Sequence, residues 1–320
     1  MKFIALFAAA LVLCATAQAQ QNYPNRPLRM IVPWPPGQAT DLVGRVMAQK
    51  MSEVLGQQVV IDNRAGAGGM IGTDVVAKAT PDGYTILAAS AGPVSINPLL
   101  QKAAYDPARE LAAVVNVCLS PFLLVTHPQF PATNAREFVA LVKASPGKYS
   151  FASSGTGASA HLVAEWFNSL AGLQVTHVPY KGSVPALTDV ISGRIDYALE
   201  TVAATLSHVK AGRLKAYGIS LGRASTIAPG IEPLAVTANV PGFDAAAWIG
   251  VMVTAGTPVA IVNRLAAAAN TAMQSPEVLE RLASVGVEVD YRRPEDFTRY
   301  LKDQHARYID IIKKGNIKVE

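Results

Sequence analysis

Residues 23–84 read YPNRPLRMIVPWPPGQATDLVGRVMAQKMSEVLGQQVVIDNRAGAGGMIGTDVVAKATPDGY. Two apolar, β-branched runs, residues 28–34 and 58–63, each lead into a glycine-bearing loop, at residues 33–40 and 64–69. Each loop opens a helical stretch. In residues 40–55 the apolar positions Leu42, Val43, Val46, Met47, Met51, Val54 and Leu55 share one helical face, and Gly56 is a natural C-terminal stop. A second helix is expected over 70–79, a turn at Pro81-Asp82-Gly83 and a third strand over 84–90. This βαβαβ order predicts a parallel sheet. Loops that open helices leave backbone N–H groups unpaired where partial positive charge collects, which suits an anion. Two such loops side by side suggest capture of one small carboxylate.

The alternation continues beyond this unit. Strands are expected at 122–126, 149–153, 175–178, 195–200, 215–220 and 246–253. Helices are expected at 135–144, from the loop at 153–157 to about 171, and at 183–192, 203–211, 258–274, 276–285 and 295–314. The fold class that follows is α/β, with two doubly wound domains joined by two crossing hinge strands near 122–126 and 249–253. The expected division is residues 20–123 with 253–320 as the first domain and 124–252 as the second. Open α/β sheets bind ligands at the carboxyl ends of their strands, so a cleft between the domains is the expected site.

The N-terminus reads as a leader. Lys2 precedes the apolar residues 3–16, and Ala17-Gln18-Ala19 offers small-x-small cleavage after Ala19. The run falls short of the roughly 20 apolar residues of a membrane span. Leu11-Val12-Leu13-Cys14 resembles a lipobox, but Leu13 is too bulky for the position before the cysteine. With Cys14 gone, Cys118 is the one cysteine left, so no intramolecular disulfide is expected and a small buried hydrophobe is the reading for Cys118. The formal charge of +5 is spread without basic runs, which argues against nucleic acid. The histidines lack metal-ligand spacing, and Gly66-Ala67-Gly68-Gly69 misses the dinucleotide fingerprint, with Ile71 at its third glycine. No cofactor and no metal are expected.

The candidate ligand residues follow from the loops. Gly37, Gln38, Ala39, Thr40 and Asp41 open the first helix, with Thr40 also readable as its cap. Trp34 walls the cleft or fills the core. Ala67 and Gly68 come from the second loop, where Arg64 reads as a structural ion pair, and Ser90 ends the third strand. Ser153, Ser154, Thr156 and Gly157 form a facing loop, with His161 in the helix beyond. Tyr180 and Lys181 follow a strand, and Glu200 and Thr201 end another. A rival reading is a secreted hydrolase of small esters using Ser154 or Ser159 with His161, although no Gly-x-Ser-x-Gly elbow is present.

A family resemblance runs from Tyr23 nearly to the C-terminus. It is carried by Pro33-Trp34-Pro35-Pro36-Gly37 with Thr40-Asp41, Asn63-Arg64 with Gly66-Ala67-Gly68-Gly69, and Pro81-Asp82-Gly83-Tyr84-Thr85. Gly155-Thr156-Gly157 with His161-Leu162, Val178-Pro179-Tyr180-Lys181-Gly182 and Gly193-Arg194-Ile195-Asp196 continue it. The chain resembles the Bug, or TctC-like, periplasmic solute-binding proteins of tripartite tricarboxylate transport systems. The resemblance implies two α/β domains, a hinged clamp of the type II kind, small carboxylate ligands, no catalysis, and membrane permease subunits or a sensor as partners; di- and tricarboxylates, aromatic carboxylates and acidic amino acids are all open as the ligand. A monomer is expected. Two departures are visible: Gln38 stands where the family often has a second glycine, and Glu200-Thr201 where it often has Asp-Asn. Glu200 reads either as part of a helix cap or as an acid facing a ligand that carries a donor.

Overall fold

The computed structural model of the chain describes residues 23–314 and Ile317. The leader expected at residues 1–19 lies outside the described residues. β1 (Leu28–Val32), α1 (Ala39–Leu55), β2 (Val59–Asn63), α2 (Met70–Ala77) and β3 (Thr85–Ser90) form the opening unit, and β1 pairs in parallel with both β2 and β3. α1 buries Val43, Val46, Met47, Met51 and Leu55 in the same core as Met30 and Val32. It stops at Gly56, whose φ of 69° is left-handed and costs glycine nothing.

β4 (Leu111–Thr126) is a single strand of 16 residues. After it come α3 (Ala135–Lys143), β5 (Ser150–Ser153), α4 (Ser159–Ala171), β6 (Thr176–Pro179), α5 (Ser183–Ile191), β7 (Tyr197–Thr201), α6 (Val202–Lys210) and β8 (Lys215–Ile219). The chain then returns through β9 (Ala246–Thr254), α7 (Val259–Met273), α8 (Pro276–Ser284), β10 (Glu288–Arg292) and α9 (Pro294–Lys314). The first half of the sheet runs β2-β1-β3-β9-β4-β10, and the second runs β8-β4-β7-β5-β6. β5 is parallel to β6 and β7, so each half keeps a parallel βαβ core with antiparallel strands where they meet.

Two expectations need correction. Residues 111–121 are strand, although only 122–126 was expected, and β10 was not anticipated at all. All of β9 pairs with β3 and the first part of β4, and Ala246 stands opposite Pro121. The expected boundary at 252/253 falls inside this strand. Cys118 is fully buried, and burial pushes its thiol pKa up, as suits a core residue.

Ser220 ties the crossing segments together. Its hydroxyl donates to the Ala245 carbonyl at 2.6 Å and accepts from the Phe122 N–H at 2.9 Å, and its own N–H donates to the Phe122 carbonyl at 2.9 Å. The side chain is completely buried. Ser220→Ala would strand the Phe122 donor and the Ala245 acceptor away from water. The expected cost is about 1–3 kcal/mol, read as a lower urea midpoint with an unchanged slope. An unaltered midpoint would show that the crossing is held by other contacts.

Candidate functional site

Four helices begin at one place. The residue before α1 is Gln38, before α4 Ala158 and before α5 Gly182, and none of these makes a side-chain cap. Only α6 is capped, by Thr201, whose hydroxyl accepts the Ala204 N–H at 3.3 Å. Three helix ends thus present first-turn N–H groups with no side-chain partner, and their dipoles point the same partial charge inward. Between them lies a cavity of about 40 Å³, room for about three waters. A cavity of about 830 Å³ lies elsewhere, between residues 94–113 and α9. It is larger, but no helix of eight residues or more starts there and it collects none of the unpaired polar groups described next, so size does not mark the site.

Both halves build the small cavity. The first gives Trp34, Gln38, Ala39, Thr40, Ser90 and the β9 residues Ala247 and Ile249; the second gives Ser154, Ala158, Ser159, Ala160, Ser183, Glu200 and Thr201. Ser120 and Phe122, from the middle of β4, line it as well. Trp34 is 6% exposed, and its indole N–H donates to Ser90 Oγ at 2.8 Å, so cleft wall and core were not exclusive readings. Three buried atoms here have no hydrogen-bond partner: Gln38 Nε2, Ser120 Oγ and Glu200 Oε1. Glu200 is fully buried. Its Oε2 accepts from Ser183 Oγ at 2.9 Å and from the Thr201 N–H at 3.2 Å. Burial raises its pKa, and the neighbouring Ser154 and Ser183 donors pull it partly back, although Ser154 makes no bond of normal geometry to Oε1.

Other expected residues sit close by but are committed elsewhere. Asp41 is buried, with its carboxylate held by the Gly37 N–H at 2.9 Å, Asn63 Nδ2 at 2.9 Å and the Arg45 guanidinium at 3.0 Å. Those bonds hold its pKa below the usual range against the upward push of burial. Asp41 therefore braces the Gly37 loop and does not line the cavity. Ser153 is engaged with His177 Nε2 at 2.7 Å and with its own loop at Gly155. The Tyr180 hydroxyl donates to Asp189 at 2.7 Å, and burial with that bond pushes its pKa up to about 12. Lys181 is exposed and outside the lining. Arg64 pairs with Asp62 at 3.0 Å, the structural reading.

The second glycine loop leaves β2 beside the first, with the Arg64 N–H donating to the Val32 carbonyl at 2.8 Å, but it does not line the cavity. The Gly68 carbonyl accepts from Asn97 Nδ2 at 2.9 Å, and a methyl on Gly68 would lie 2.7 Å from the Thr156 carbonyl of the other half. A methyl on Gly157 would lie 1.6 Å from Asn97 Oδ1. Ala67, Gly68, Thr156 and Gly157 thus form a tight contact between the halves, outside the cavity lining. Ser120 and Ser183 were missed. Ser183 opens a helix after a glycine, a signal as good as that of Gly37; Ser120 lies inside a strand and has no sequence signal.

His161 is 3% exposed, and its Nδ1 accepts the Gly157 N–H at 3.3 Å. It stacks on His177 with ring centres 4.1 Å apart. Burial pushes its pKa down to about 4 and that of Glu165 up, and the two side chains approach to 3.9 Å. His177 is likewise lowered, to about 3, by burial and then by His161. Among the described residues neither Ser154 nor Ser159 bonds to His161, which leaves the hydrolase reading without its base.

Comparison with known proteins agrees with this arrangement. The pattern of the "Tripartite tricarboxylate transporter family receptor", TctC, matches residues 43–317. The chain belongs to this family. The periplasmic binding protein BugD is similar to the TctC-family chain at 32% identity and a TM-score of 0.87, covering 93% of this chain and 100% of its own. A protein of R. palustris solved with adipate is 30% identical with a TM-score of 0.88, covering 92% and 99%. MatC from Rhodopseudomonas palustris with bound malate is 30% identical with a TM-score of 0.85, covering 91% and 100%. The family and these neighbours are binding proteins, not enzymes. Among the described residues no helix is long and apolar enough to cross a membrane.

The buried histidines carry a pH signature. Above pH 6.5 His161 is neutral in both folded and unfolded chains; as pH falls from 6.5 towards 4, only the unfolded chain gains the proton. Stability present above 6.5 is therefore lost through that window, by up to about 1.4 kcal/mol per pH unit. His161→Gln should flatten the fall by that amount, measured as unfolding free energy against pH. Parallel curves for the two proteins would show that His161 titrates normally.

Proposed function

We propose that the TctC-family chain captures a small organic carboxylate between two lobes and delivers it to the membrane subunits of a tripartite tricarboxylate transporter. The carrying observation is that three uncapped helix ends from both halves meet at one cavity. A carboxylate there completes hydrogen bonds that the fold leaves open, without a formal cation. The adipate and malate held by structural neighbours support the same ligand class. In this reading the N–H groups of Ala39 and Thr40 face those of Ser159 and Ala160 across the ligand. Ser154 and Thr201 add hydroxyls, Trp34 gives a flat wall, and Gln38 and Glu200 select.

The lobes in this reading are residues 23–121 with 246–314, and 122–245, following the strand pairing. One chain completes the cavity, so the working unit is a monomer. Export follows the leader expected at residues 1–19, with cleavage after Ala19. Transport is preferred to sensing because the matched family is a transporter receptor family.

A thermal-shift screen of organic acids tests capture. Ligand at 100 times its Kd should stabilise the fold by about 2.7 kcal/mol, and the uncharged amide of the same acid much less. Equal shifts from acid and amide would rule out an anion site. Solution scattering tests the clamp. Saturating ligand should reduce the radius of gyration as the lobes close; an unchanged radius would mean a rigid pocket.

A further inference from the structure

Gln38 and Glu200 approach the cavity from opposite lobes. Gln38 is 6% exposed and reaches across to Gly182, where an added methyl would lie 3.0 Å from its amide nitrogen. That nitrogen donates to nothing in the protein. Glu200 is fixed from one side, with Ser183 and the Thr201 N–H on Oε2, and its other oxygen is open. Ser120 Oγ, 1% exposed, is the third unpaired group.

The charge pattern is lopsided. No Lys, Arg or His lines the cavity, so the buried Glu200 carboxylate has no counter-charge from a side chain. A buried carboxylate that is neither paired nor protonated is strongly unfavourable. The helix ends supply donors, but their natural guest is another carboxylate, which Glu200 would repel at close range. One ligand chemistry relieves both: a carboxylate for the helix ends and an ammonium for Glu200. Gln38 Nε2 then asks for a further oxygen acceptor on the same molecule.

We propose that the open Glu200 Oε1 and Gln38 Nε2, facing one cavity from opposite lobes, select a small amino-carboxylate bearing a second oxygen acceptor, such as an acidic amino acid, over a plain dicarboxylate. This rests on the carboxylate-capture reading and narrows it. Protonation of Glu200 is the competing remedy, and it would make Glu200 a donor that favours plain diacids.

Matched pairs differing only by the amine test the proposal: L-aspartate against succinate, and L-glutamate against glutarate, by titration calorimetry at pH 7. The amine should tighten binding to the unaltered chain by about tenfold or more in at least one pair, the scale of a charge-assisted hydrogen bond. Glu200→Gln keeps size and the acceptor for Ser183 and Thr201, and should erase that advantage while leaving the plain diacid unchanged or tighter. Plain diacids that match their amines on the unaltered chain overturn the proposal, as does an advantage that survives in Glu200→Gln. The wild-type comparison stands even if the variant folds poorly. Acids that stabilise the chain in the thermal screen without any gain from an amine defeat this inference alone; a screen with no acid hit defeats the capture reading and this one together.

Discussion

A β-strand has two edges, and β4 uses them for four partners. Up to Pro121 it lies between β9 and β10; from Phe122 onward it lies between β7 and β8. The change of partners falls at a proline, which has no N–H to give to a ladder. The two halves of the sheet therefore share a backbone but not a hydrogen-bond network, and the strand ends of both open towards the same spot. Ser120 and Phe122 line the cavity because they flank that change. Everything else about the site follows: helices that start after β5, β6 and β7 meet the helix that starts after β1 because β4 holds both sets of strands in one register.

The opening unit was legible because its signals are local. A 3.6-residue apolar period, Gly56 at a left-handed stop and Pro-Asp-Gly before a strand need no knowledge of distant contacts. β10 was not legible. Its five residues, EVDYR, are mixed in character and packed between two helices, so pairing with β4 alone makes them a strand. The site was half legible for a related reason. That Gln38, Thr40, Ser154, Glu200 and Thr201 stand where strands end can be read from order along the chain. Whether a polar group is already satisfied cannot. Asp41, Ser153 and Tyr180 look like ligand residues until Arg45, His177 and Asp189 are seen to occupy them.

The electrostatics of the cleft are those of dipoles. No basic side chain lines the cavity, so attraction to an anion at the site comes from backbone N–H groups and fades within about a helix turn. The net charge of +5 acts at longer range and is screened over about 8 Å at physiological salt. Encounter and retention are thus separate matters, the first sensitive to ionic strength and the second much less so. Behind the Ser153 loop the stacked His161 and His177 are neutral, and they hold that loop with hydrogen bonds without adding a charge.

Gly68 and Gly157 meet the opposite half of the molecule through the space that side chains would fill. Asn97 sits between them, donating to the Gly68 carbonyl. The clearance between the halves there is therefore set by two missing methyl groups, one of them on the residue directly before Ala158 of the cavity lining. Bulk at either glycine would act as a wedge, propping the jaw ajar while leaving the lining intact. Contact between the halves and the lining of the cavity thus come from different residues on one continuous loop, so a change in how closely the halves meet need not replace a single lining side chain.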